Sequence, residues 1–324
     1  MKKAKLLIVD DQQTTISQLR SEFREYEVDE ADNGRMALKK IKEDKPDLII
    51  INTTTAGIDG YSVLSIVKSS PDTHNIPIIL TTAMEGAEDR AKSLEKGADD
   101  FLIKPFDPAE LQGKVKTLLR IKSLQDELTR VRQFLVSMAQ IMEDKSEYWA
   151  GHSRRIAGYA VRLARKDLLH PSWLEEVKIA ALLHDIGKST IKESIFLKPG
   201  KLTAEELEMV KSHPAAGEKM CAVLTSLKPV LPIIRHHHER FDGGGYPDGL
   251  KGSEIPLGAR IIAVADGYDA LTSERPFRQA NSPLEAVNIL RENAGSQWDP
   301  QLVELFCQLV ETGTLNSEEE SKKA

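Results

Sequence analysis

The sequence predicts an α/β doubly wound domain followed by an all-α domain, and three observations carry that division. Between residues 5 and 106, short apolar runs at 6–9, 48–51, 78–80 and 101–103 alternate with amphipathic stretches at helical spacing. From about 144 to 312 the chain reads as helices punctuated by Pro171, Pro199-Gly200, Pro214, Pro232 and a turn at 242–245. Histidine is lopsided: of the eight in the chain, only His74 precedes residue 151.

The elements follow in order. Buried parallel strands read as unbroken apolar runs, and the stretches between these runs are long enough for crossover helices. Ligands of such sheets sit beyond the carboxyl ends of the strands. Those ends carry Asp10 and Asp11, Asn52, Thr81 and Thr82, and Lys104. After Pro108 a helix begins, along which Ile121, Leu124, Leu128, Val131, Leu135, Met138 and Met142 recur at alternating steps of three and four. This spacing suits a coiled-coil seam that pairs two subunits, and equally one amphipathic helix packed on its own domain. We place the first domain at 1–120, the linking helix at 107–143, the helical domain at 144–315 and a polar tail at 316–324.

Composition narrows the function. A chain of 324 residues has room for about two domains with separate cores. A net charge of −6 argues against binding a nucleic-acid polymer. No apolar stretch approaches a membrane span, and the run at 6–9 ends at two aspartates, unlike a signal peptide. Cys221 and Cys307 are too few for a disulfide framework, so a reducing, cytoplasmic setting is expected.

The chemistry gathers in the second half, at His152, His184-Asp185 with Lys188, His213, the run His236-His237-His238, and Asp266. Imidazole and carboxylate without thiolate suit Fe or Mn, and also Zn, Co or Ni. Mixed sites of this kind that hold two metals hydrolyse phosphate esters. The apolar run at 179–183 sets His184-Asp185 near the end of a buried helix. An unpaired carboxylate there is costly, and a cation neutralises it. Lys188 shares the face of His184 if the helix continues, and Gly187 counts against continuation.

Two resemblances sharpen this reading. The first domain, with IVDD at its first strand, PDLIII and GIDGY around the third and GADDFLIKPF at the fifth, resembles a two-component receiver domain. The resemblance implies a pocket of Asp10, Asp11, Thr82 and Lys104 around a phosphoacceptor aspartate. The acceptor position holds Asn52, and an amide cannot form an aspartyl phosphate, so a phosphorylation-independent pseudo-receiver is expected. Thr53, Thr54 and Thr55 are read as loop residues rather than substitute acceptors.

The second domain, with ALLHDIGK, SHP, HHERFDGGGYP and ARIIAVADGYDALTSERPFR, is similar to the HD-GYP subgroup of the HD phosphohydrolase superfamily. That resemblance implies hydrolysis of cyclic di-GMP to pGpG and/or GMP at a metal centre of His152, His184, Asp185, His213, His237, His238 and Asp266. Two divalent metals are expected, because Tyr148 stands where some members place a further glutamate, with Glu147 adjacent and turned away. His170 and His236 are left as bystanders. Asp185 and Lys188 would serve catalysis, Lys188 by neutralising a phosphate oxygen. Arg275 and Arg278 would hold the second phosphate or stack on guanine, or simply pair on the surface.

The loop Gly243, Gly244, Gly245, Tyr246, Pro247 is expected to be tight, with positive φ at its glycines. The resemblance implies that it contacts diguanylate cyclase domains, with Tyr246 either an exposed anchor or equally packed against the fold. Two alternatives stay open: a non-catalytic effector that binds cyclic di-GMP, and a hydrolase of another cyclic dinucleotide.

Overall fold

The computed structural model describes residues 3–70, 72–83, 96–143, 150–166, 171–196, 198, 200–274 and 279–316. The chain divides into two compact units, Met1–Thr129 and Arg130–Ala324.

The first unit is built on five parallel strands: β1 (Lys5–Val9), β2 (Glu27–Ala31), β3 (Leu48–Asn52), β4 (Ile78–Thr82) and β5 (Asp100–Ile103). Their order is β2-β1-β3-β4-β5. The apolar runs at 6–9, 48–51 and 78–80 are the interior strands β1, β3 and β4, with β3 and β4 buried along their whole length. The run at 101–103 is the edge strand β5, and the other edge, β2, carries charge and stays half-exposed. Helices α1 (Gln13–Glu22), α2 (Gly34–Glu43) and α3 (Gly60–Ser69) connect the first strands. The starts of α2 and α3 are fixed by side-chain caps, Asn33 accepting from Met36 N and Asp59 from Ser62 N.

The strand order reverses between β1 and β3, and the expected pocket residues converge there. Asp10 is buried and receives the Lys104 ammonium at 2.6 Å. The Asn52 amide reaches Asp11 at 3.5 Å and accepts from the Thr54 backbone and hydroxyl. Thr82 is buried at the end of β4.

Helix α4 (Pro108–Glu143) is one unbroken helix of 36 residues. Of its predicted apolar seam, Ile121, Leu124, Leu128, Val131 and Met138 are exposed, whereas Leu135, with its neighbour Val136, packs on the second unit's core. Packing on the helix's own domain therefore holds at Leu135 and not along the stretch from Ile121 to Val131. The side chain of Met142 lies outside the described residues.

The second unit is helical: α5 (His152–Lys166), α6 (Pro171–Leu183), α7 (Glu193–Phe196), α8 (Ala204–Lys211), α9 (His213–Cys221), α10 (Leu231–His236), α11 (Leu257–Thr272), α12 (Pro283–Glu292) and α13 (Pro300–Glu311). Helix α11 is the central one, with Ala259, Ile261, Ile262, Val264, Ala265 and Tyr268 all buried. Its glycines mark where neighbours press closest. A Cβ on Gly267 would lie 2.5 Å from the Trp298 ring, whose indole N–H donates to Ala263 O at 2.9 Å. The Glu143 carboxylate at the end of α4 accepts from the Ser153 backbone and hydroxyl, beside His152 in the first turn of α5.

Gly267→Ala is expected to destabilise the second unit by about 1–3 kcal/mol through overpacking. Urea unfolding measures this, and replacing Trp298 by Leu in the same chain should recover part of the loss.

Candidate metal centre

Three of the histidines occupy equivalent local positions. His184 follows the end of α6, His213 lies just beyond α8, and His237 follows α10. The last carbonyls of a helix have no partner within it. Each of these histidines takes one: the Nδ1 atoms of His184, His213 and His237 lie 2.8, 2.6 and 2.6 Å from the carbonyls of Ala181, Val210 and Ile234. A carbonyl only accepts, so each Nδ1 carries its proton and a neutral ring presents Nε2 as a lone pair.

Those lone pairs point at one another. His213 Nε2 and His237 Nε2 are 3.3 Å apart. Among them lies Asp185, buried, with its two oxygens facing different rings. Oδ1 lies 3.2 Å from His213 and 4.0 Å from His237, and Oδ2 lies 3.2 Å from His184 and 3.8 Å from His152. Oδ1 is buried with no hydrogen-bonding donor, the condition a cation relieves. Asp266 completes the ring, 3.5 Å from His152 Nε2. Among the described residues the donor atoms of the expected ligands fall into two of three groups of metal-binding dimensions, Asp185 with His213, His237 and His238, and His152 with His184 and Asp266. The residues present therefore fit two metals of the imidazole- and carboxylate-binding kind.

The electrostatics agree. Burial works against a charged His184, but the Asp185 carboxylate outweighs it and raises that ring to about 9. Asp185 is likewise held well below the ordinary carboxylate range despite its burial, by His184 and Lys188. Burial and neighbouring rings push His237 far down, and burial takes His238 to about 4, so both are neutral donors. Without a metal, a proton on His184 supplies the positive charge that the cluster requires.

Helix α6 stops at Leu183, and residues Ile186–Thr190 form a 3-10 turn instead. Lys188 reaches the site all the same, its ammonium bonded to Asp185 Oδ2. Gly187 has a tighter role than ending a helix. A Cβ there would meet His213 O at 2.0 Å, so only glycine lets the turn approach α9 closely enough for Asp185 and His213 to meet.

The glycine loop departs from expectation in one respect. Only Gly243 among the three has a positive φ. Gly245 is required instead by close approach, because a Cβ would lie 2.3 Å from Arg240 N. Tyr246 is half-buried with its ring 5.0 Å from that of His238, facing the site, and is not an exposed anchor. Asp242 pairs with Arg240 and lies outside the metal-binding groups. His236 is not part of these two groups but forms the third with Glu239 and Asp248, at 3.5 and 3.7 Å.

Two side chains at the site escaped the sequence reading. Asp269 is buried, 2.7 Å from His152 Nδ1, and Arg155 grips it with Nε and a terminal nitrogen at 2.6 and 2.9 Å. Burial raises the Asp269 carboxyl, but these two partners prevail and hold it below its ordinary value. A spacing signal was available: His152 and Arg155, like Asp266 and Asp269, are three residues apart, one helical turn. Arg275, Arg278, Tyr148, Glu147 and His170 lie outside the described residues.

Beside the cluster opens a cavity of about 520 Å³. Its walls include the apolar Phe196, Leu202 and Val210 and the cationic Lys188, Lys198 and Arg240. Lys198 is braced by Glu206 at 2.6 and 2.8 Å.

Comparison with known proteins matches both units. The response regulator receiver domain family matches residues 6–116, and the HD domain family matches residues 136–302. The chain is 34% identical over 326 residues to the cyclic di-GMP phosphodiesterase response regulator RpfG of Xanthomonas campestris pv. campestris, covering 92% of this chain and 86% of that one. It is 32% identical over 336 residues to a cyclic di-GMP phosphodiesterase of Thermotoga maritima, covering 94% and 90%. Over 167 residues it is 40% identical to the 3'3'-cGAMP-specific phosphodiesterase 3 of Vibrio cholerae, covering 52% and 36%. With both domains matched in order, and likeness to these two phosphodiesterases over more than nine-tenths of the chain, the chain belongs to the family of response regulators that join a receiver domain to an HD domain.

Proposed function

We propose that the second unit is a binuclear metal-dependent phosphodiesterase that cleaves cyclic di-GMP to pGpG and/or GMP. The observation that carries this reading is Asp185, a buried carboxylate whose two oxygens address two separate histidine groups. His152, His184 and Asp266 would hold one metal and His213, His237 and His238 the other, with Asp185 shared. Fe or Mn is the expected identity, and Zn, Co and Ni suit the same donors. When bound, such a pair supplies Lewis-acid activation of water and charge neutralisation at phosphorus.

The chain's own residues do the rest. Lys188, fixed against Asp185, stands where it can bond a non-bridging phosphate oxygen as negative charge grows. The cavity offers apolar walls for flat bases and cations for a second phosphate, a task in which Arg275 and Arg278 would join Lys198 and Arg240. The 40% identity to a cGAMP-specific enzyme over the HD half supports a second reading, in which the hydrolysed substrate is another cyclic dinucleotide.

Regulation follows from the first unit. With Asn52 in the acceptor position, its response does not use phosphorylation. The exposed stretch from Ile121 to Val131 pairs two copies of α4. The contact of Glu143 with Ser153, next to His152, connects that helix to the metal centre. Diguanylate cyclase domains remain candidate partners for the exposed rim at Asp242 and Gly244. No helix among the described residues is long and apolar enough to cross a membrane, and we place the protein in the cytoplasm.

Protein loaded anaerobically with Fe²⁺ or Mn²⁺ is expected to hydrolyse cyclic di-GMP faster than cyclic GMP-AMP, as followed by chromatography of the products. Tight binding without hydrolysis would make it an effector rather than an enzyme, and the reverse preference would favour the second reading. His184→Ala and Asp185→Ala should each abolish turnover and metal retention. Acetyl phosphate and beryllofluoride should leave the rate unchanged, and clear activation by either would overturn the phosphorylation-independent assignment. Leu124→Asp with Leu128→Asp should convert a dimer to a monomer in sedimentation velocity, and a wild-type monomer would remove the pairing role of α4.

A further inference from the structure

We propose that Asp269, gripped by Arg155, is a positioning residue that sets the donor strength and orientation of His152, making one of the two metal positions separately tunable. The inference rests on the reading of the cluster as a binuclear centre and assigns one ligand of one half, His152, a support that His184, His213 and His237 lack.

His184, His213 and His237 are oriented by main-chain carbonyls, neutral acceptors built into helix ends. His152 is oriented by a carboxylate, with Nδ1 2.7 Å from Asp269 Oδ2. A carboxylate behind an imidazole makes the opposite nitrogen a stronger donor than a carbonyl does, and it fixes the ring's tautomer as well. Asp269 is only 2% exposed, so its charge acts at low dielectric rather than through water.

Arg155 moderates that effect. Its fork places Nε 2.6 Å from Oδ1 and a terminal nitrogen 2.9 Å from Oδ2, the same oxygen that faces His152. The guanidinium therefore draws off part of the charge delivered to the ring and prevents the carboxylate from rotating. Its side chain is 38% exposed, so the chain from solvent to metal donor runs Arg155, Asp269, His152.

The arrangement also sets the helix register. His152 and Arg155 lie one turn apart on α5, and Asp266 and Asp269 one turn apart on α11. His152 faces both aspartates, and Arg155 bonds the second. A shift of α5 along α11 would disturb the His152–Asp266 pair and the Asp269 clamp together. The His213–His237–His238 group lies on other elements and is spared.

The experiment is a Mn²⁺ titration of the metal-free full chain by calorimetry, with metal analysis after dialysis, on wild type, Asp269→Asn and Asp269→Ala. Wild type should bind two Mn²⁺. Asp269→Asn keeps an acceptor for His152 but loses the charge, and should weaken one of the two sites about 10-fold. Asp269→Ala should weaken the same site about 100-fold, leaving one Mn²⁺ per chain after dialysis.

Nitrogen NMR of the metal-free protein gives a readout independent of loading: the His152 proton should sit on Nδ1 in wild type and distribute over both nitrogens in Asp269→Ala. If Asp269→Ala does not fold, Asp269→Asn decides alone. Unchanged affinities at both sites, or equal weakening of both, would overturn the proposal. A wild type that binds no Mn²⁺ or Fe²⁺ would instead overturn the binuclear reading beneath it.

Discussion

The second unit is organised around one buried carboxylate, Asp185. Asp185 lies among histidines that turn Nε2 towards it, because their other nitrogens are committed to carbonyls. Burying such a carboxylate costs several kcal/mol unless a cation compensates. The raised His184, at about 9, is the protein's own partial answer. Three helices, α6, α8 and α10, end at this point, and the carboxyl end of a helix carries partial negative charge. The same ends that orient the rings thus add to the field favouring cations.

Glycine makes the convergence sterically feasible. The turn after Asp185 touches the start of α9 at Gly187, and the loop after His238 folds against Glu239 and Arg240 at Gly245. Neither position has a positive φ, so the requirement at both is the missing Cβ rather than left-handed backbone. Gly243, with φ +87, is the one position in that loop where backbone freedom is the reason. Close approach is a property of two segments together, and so a reading of one segment at a time took Gly187 as a helix breaker and Gly243, Gly244 and Gly245 as turn geometry.

Much of the fold was legible because its signals are local. The apolar runs at 48–51 and 78–80 could only be interior strands, and the histidine-carboxylate pattern placed the chemistry in the second half. What was not legible depends on contacts between distant segments. Asp269 and Arg155 are 114 residues apart, and neither carries a motif that announces a metal donor's partner. The seam of α4 had two readings because periodicity reports an apolar face without naming what covers it. Leu135 meets the second unit's core, whereas Leu124 and Leu128 meet solvent.

The net charge of −6 and a doubly anionic ligand are reconciled by the site's local balance. Around the cluster, Asp185, Asp266 and Asp269 face Lys188 and Arg155, with His184 drawing a proton to make up the shortfall. That arrangement is close to neutral and has little attraction for a phosphodiester. Two divalent cations in place of one proton would turn the cavity strongly positive, with Lys198 and Arg240 already on its walls. On the binuclear reading, affinity for an anionic dinucleotide would be a consequence of metal loading rather than of the metal-free surface. It follows that whatever tunes the metal position at His152 would also tune substrate capture, and the Asp269–Arg155 pair stands at that point of leverage.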